Sequence, residues 1–111
     1  MKTNTLSKHG FNVQHFIDKF EDTAPEEWTT NQYHRHSEHL CDPDRYCALG
    51  FCGCEHYPFD TQEGDALRHI FQIAFDLYVD DVNDGMTSRF NDTHPRVRIL
   101  TALYCLKARG W

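Results

Sequence analysis

The chain has 111 residues and a mass of 13.1 kDa, room for one domain over residues 1–111. With 40% hydrophobic and 25% charged residues and a mean hydropathy of −0.67, it is neither a wholly disordered nor a fibrous chain. The formal charge of −6 disfavours non-specific binding to phosphate backbones, and no apolar run approaches the roughly 20 residues that cross a bilayer.

Residues 1–10 are polar, have little to anchor them and are expected to be flexible. Asn12 reads as a helix N-cap before Val13, Phe16, Ile17 and Phe20, whose i, i+3, i+4, i+7 spacing makes one apolar stripe. Phe11 and Phe16 fit a hydrophobic staple, and the helix is expected to stop by Glu21 or Asp22. Thr23-Ala24-Pro25-Glu26 has the pattern of a capping box with proline in the first turn, opening a short helical turn that ends near Trp28. Periodicity then disappears as far as Asp44. Extended pieces at residues 28–33 and 45–47 can pair as a small hairpin around the turn chemistry of Asp42-Pro43-Asp44. The small-residue segment Cys47-Ala48-Leu49-Gly50-Phe51-Cys52-Gly53 is expected to open a short helix.

Asp60-Thr61-Gln62-Glu63 has the spacing of a capping box with Asp60 as cap. In the helix that follows, Leu67, Ile70, Phe71, Ala74 and Tyr78 mark the buried face, widened by Ala66, Ile73 and Leu77. Asn83-Asp84-Gly85 is a turn signal. Asn91-Asp92-Thr93 before His94-Pro95 begins a last helix, with Val97, Ile99, Leu100, Leu103, Tyr104 and Leu106 inward and Gly110 as its stop. The expected fold is mainly α: three main helices, with an irregular or small β-hairpin insertion between the first and the second.

Five cysteines and eight histidines are many for this length, and the start of the chain lacks the apolar core of a signal peptide. The expected location is the reducing cytoplasm, where cysteine is a thiol, a metal ligand or a nucleophile. His36, His39, Cys41, Cys52, Cys54 and His56 crowd into one stretch and supply the N and S donors that zinc takes, although no C-x-x-C pair is present. A zinc-stabilised interaction module is therefore one reading. Cys47 at a helix start, with His94 as base, would be a cysteine hydrolase. Gly50-Phe51-Cys52-Gly53 lacks the spacing of a phosphate-binding loop and reads as close backbone packing. The preferred reading is a non-enzymatic binding protein without a cofactor. Trp28, Tyr33 and Tyr46 would stack on a small anionic ligand such as a nucleotide, and Arg96 and Arg98 would contact its charge. A host protein surface is the other partner considered, and Phe90 and Trp111 permit a homo-oligomer.

Phe16-Ile17-Asp18-Lys19-Phe20-Glu21, Glu26-Glu27-Trp28-Thr29-Thr30 and Cys47-Ala48-Leu49-Gly50-Phe51-Cys52-Gly53 follow one another in an order that resembles a group of uncharacterised phage and prophage proteins. That group carries a C-A-L-G-x-C-G signature, followed by N-D-G and P-x-x-R-[IV]-L-x-A-L segments. Asn83-Asp84-Gly85 and residues 95–103 match the latter two. The histidine-rich stretch of residues 33–41 departs from the pattern, as does Phe51, where relatives often have His. The resemblance implies an accessory factor that counters host defence in the host cytoplasm, by sequestering a nucleotide signal or occluding a host protein.

Overall fold

In the computed structural model, which describes residues 7–32, 34–35, 44–54 and 61–111, Asn12 caps helix α1 (Val13–Glu21) by accepting from the His15 N–H at 2.9 Å. The staple forms as the spacing predicts, with the Phe11 and Phe16 rings 6.3 Å apart. Val13, Phe16, Ile17 and Phe20 are all buried. A 3₁₀ turn (Pro25–Glu27) follows, but its cap is Ala24, not Thr23: the Glu27 carboxylate accepts the Ala24 N–H at 2.7 Å. Thr23 instead donates its hydroxyl to the Phe20 carbonyl and accepts from the Trp28 indole.

The hairpin is smaller than expected and shifted along the chain. Strand β1 (His34–Arg35) pairs antiparallel with β2 (Arg45–Tyr46), while Trp28 meets Tyr46 only through a parallel bridge. Helix α2 (Ala48–Phe51) is a single turn capped by the Cys47 sulfur. Gly53 follows at φ 88°, and a Cβ there would stand 3.3 Å from the Thr61 methyl, so this segment is close packing as the sequence suggests.

Helix α3 (Gln62–Phe75) is capped by Thr61 rather than Asp60, which lies outside the described residues; the Thr61 hydroxyl accepts the Gly64 N–H and also donates to the Cys52 carbonyl. The helix stops three residues before Tyr78. Asp76 adopts a left-handed conformation (φ 55°) and closes the C-terminus, and the chain turns into an extra helix, α4 (Val79–Asp84), which periodicity did not indicate. Asn83 and Asp84 are its last residues, and Gly85, at φ 73°, is its left-handed cap. Helix α5 (Pro95–Ala108) begins at His94, whose ring Nδ1 accepts the Arg96 N–H at 3.1 Å. Its buried face is rotated from the expected one. Arg98 and Ala102 are buried, whereas Val97 and Tyr104 are exposed.

Phe16 and Phe20 from α1, Leu67, Ile70 and Phe71 from α3, and Ile99, Leu103 and Leu106 from α5 meet in one core, closed by Leu49, Val79 and Val82. The protein is thus mainly helical, with α5 packed against both α1 and α4. Among the described residues no helix is long and apolar enough to cross a membrane.

Candidate functional site

Helix α4 is short, yet three parts of the chain tie to its C-terminal end. The buried Asn83 side chain accepts the Ala48 N–H at 2.9 Å and donates to the Thr29 carbonyl at 3.1 Å, joining the hairpin region to α2. Asp84 accepts the Asn31 N–H and the second Asn83 N–H. From the opposite side the Arg98 guanidinium, only 6% exposed, donates to the carbonyls of Val82 (3.0 Å), Asn83 (2.6 Å) and Asp92 (2.6 Å). These carbonyls include some that a helix end leaves without partners, which explains why a cation is buried here. Among the described residues no carboxylate lies within ion-pair reach of Arg98. Burial lowers its pKa, while Asp84 and Asp92 favour its charge from a distance. Gly85 is required twice over, by its backbone and because a Cβ would meet this guanidinium at 3.2 Å.

The residues chosen from sequence for ligand contact have mostly been taken into the scaffold. Trp28 is 4% exposed, its indole N–H held by Thr23 and its ring against Phe20 and Phe51. Tyr46 lies against Phe51 in the same cluster, with ring centroids 5.2 Å apart. Tyr33 lies outside the described residues. Arg96 and Arg98 do not converge. Two residues along a helix are about 200° apart, so Arg96 reaches Glu21 at the end of α1 and the Thr23 carbonyl just after it, while Arg98 turns to α4. A joint anion grip by that pair is therefore not assembled.

Cys47 is the cap of α2, and its sulfur accepts the Gly50 N–H at 3.4 Å. Burial first, with the Asp80 and Asp84 carboxylates adding to it, pushes its thiol up to about 12, against the N–H bonds that favour the thiolate. A nucleophile needs the opposite shift. His94 is held as the α5 cap. Of the proposed metal ligands, His36, His39, Cys41 and His56 lie outside the described residues, and Cys52 and Cys54 are buried. The Cys52 thiol is raised further still, by burial and then by Glu63.

Among the described residues, one open cleft lies between α3 and α4, with a volume of about 250 Å³. Its apolar part is Ile73, Tyr78 and Val79, and Ile73 and Tyr78 are 57% and 72% exposed. Lys8, Arg68 and His69 supply cationic or ionisable nitrogen, and Asp65 and Asp80 the carboxylates. Asp65 is already held: Lys8 Nζ and His9 Nε2 both reach its Oδ2, at 2.9 and 2.8 Å, and these bonds lower its pKa. Sequence periodicity missed this site because it continued α3 through residue 78 and assigned Ile73 and Tyr78 to the core. Asp76, followed by Asp80 and Asp81 at the spacing of a new first turn, was the available signal.

No protein-family model, no curated protein and no solved structure matches the chain.

Proposed function

We propose that the chain is a non-enzymatic accessory binding protein that captures a small anionic ligand, on the scale of a mononucleotide, in the cleft between α3 and α4. One observation carries the reading: an exposed aromatic ring and an exposed isoleucine share a concave site with Lys8, Arg68 and His69. An apolar centre receives a planar ring, and cations at its edge receive an anionic group. The volume falls just under the roughly 300–1,000 Å³ of drug-sized pockets, which suits one base and part of its substituent better than a dinucleotide. The high Cys47 pKa and the capping role of His94 weigh against the cysteine hydrolase. The resemblance to phage and prophage proteins supports a role in countering host defence, by sequestering a nucleotide signal in the host cytoplasm.

Thermal-shift screening with mononucleotides tests the reading, since a ligand at 100 times its Kd stabilises by about 2.7 kcal/mol. The wild type should shift and Tyr78→Ala should not; a panel in which no nucleotide moves the wild-type melting point overturns the reading. Exposed Tyr78 and Ile73 also favour a second reading, occlusion of a host protein, because aromatic anchors with a charged rim are typical of interfaces. The zinc-stabilised module rests on His36, His39, Cys41, Cys52, Cys54 and His56, and metal content after chelator-free purification decides it.

A further inference from the structure

Lys8, which lines the α3–α4 cleft, stands in a turn that precedes α1. Lys8 and Phe11 exchange two backbone hydrogen bonds, of 3.2 and 3.0 Å, around His9 and Gly10, whose φ angles are 57° and 84°. Positive φ at both central residues is the geometry of a tight hairpin turn. Glycine adopts it freely, whereas histidine must be held in it. The restraint comes from one oxygen of α3, Asp65 Oδ2, shared between Lys8 Nζ and His9 Nε2. All three side chains are between 31% and 41% exposed, where an ion pair contributes little. At its far end the turn is fixed, because the Phe11 ring packs against His15 and Phe16 at 4.7 and 6.3 Å. Both backbone bonds tie Lys8 to Phe11, so the turn is a fixed base from which the Lys8 side chain reaches Asp65, and both residues line the cleft.

We infer that Lys8 determines the affinity of the cleft for anions by exchanging Asp65 for the anionic group of the ligand, its long side chain swinging from a turn that stays in place. The inference rests on the α3–α4 cleft being the ligand site. Lys8 carries its ammonium on a flexible four-carbon stem and is 41% exposed, so the side chain can turn from Asp65 to a ligand. When Lys8 leaves, His9 still satisfies Asp65, so the exchange strands no carboxylate.

The probe is adenosine monophosphate, titrated calorimetrically into the full chain, with melting points recorded for each variant. Lys8→Met should weaken binding about tenfold, the loss of one charge-assisted contact. Asp65→Asn should do the reverse of what a merely structural residue does: it lowers the melting point of the free protein yet tightens binding several-fold, because Lys8 no longer has a competing carboxylate. If the wild type binds but Lys8→Met binds equally well, or if Asp65→Asn weakens binding, the exchange is overturned and the cleft stands. If the wild type binds no adenosine monophosphate while Tyr78→Ala and wild type melt alike with every mononucleotide, the cleft and the exchange fall together.

Discussion

The corner between α4 and α5 and the cleft between α3 and α4 invert each other. In the corner, polar groups are inside: Asn83 is 1% exposed and Arg98 6%, and their side chains bond backbone groups from residue 29 to residue 92. In the cleft, apolar groups are outside: Ile73 and Tyr78 are more than half exposed beside charged neighbours. A buried polar side chain whose hydrogen bonds are met by the backbone holds architecture together, while an exposed aromatic in a concavity is open to a partner. Residue type alone points the wrong way in both places, since an arginine suggests anion binding and a tyrosine at helical spacing suggests core.

The sharpest way to break the contrast is at Arg98. Arg98→Met takes a donor from three carbonyls, of which Val82 keeps the Gly85 N–H, and should cost roughly 3–5 kcal/mol in urea unfolding, on the scale of breaking a buried charge network. Arg96→Met, only two residues away but partly exposed, should cost about 1 kcal/mol or less. Equal costs would erase the distinction. Next is Asn83→Ala, expected to cost about 2–3 kcal/mol by stranding the Ala48 N–H and the Thr29 carbonyl. Alkaline unfolding probes the same buried side. Cys47 and Cys52 ionise in the unfolded chain near the ordinary value of 9.0 but stay protonated when folded. Stability should therefore fall as pH rises above 9, by about 1.4 kcal/mol per pH unit per thiol, and iodoacetamide should leave Cys47 in the native protein unlabelled at pH 8.

On the open side, Tyr78→Ala should change stability by no more than about 0.5 kcal/mol while abolishing the nucleotide-dependent melting shift. A large stability loss would return Tyr78 to the core. The smallest effect is at Asp65. Its folded pKa lies below the ordinary 3.8, so its contribution is complete above about pH 4 and disappears as pH falls through the folded value. Asp65→Asn should flatten that acid limb slightly, because the group is 41% exposed and screened.

Several signals whose interactions are local fold as the sequence suggests, although the box expected at Thr23 shifts to Ala24. Asn12 and the Phe11–Phe16 staple span a handful of residues and fold as read. Gly110 ends α5 for the same reason, whereas Gly85, expected in a turn with Asn83 and Asp84, caps a helix that the spacing does not indicate. Misreadings occur where a distant group changes the choice between neighbours. Thr61 is the α3 cap because it also binds the Cys52 carbonyl, nine residues away, a preference that Asp60 and Thr61 do not announce. Val97 and Tyr104 yielded the inner face of α5 to Arg98 and Ala102 because α4, absent from the periodicity, presents carbonyls there. Trp28, Tyr46, Arg96 and Arg98 were recognised as special, but the partners of each lie elsewhere in the chain or in the folded core.

By itself the sequence determined a mainly helical protein, its three long helices and most of their ends, because capping and amphipathic spacing act within a few residues along the chain. Only the tertiary structure decided which chemistry-bearing groups stay open to a ligand. That depends on desolvation and on hydrogen bonds between groups far apart in the chain, such as Arg96 and Thr23, 73 residues apart, and no local pattern encodes such pairings.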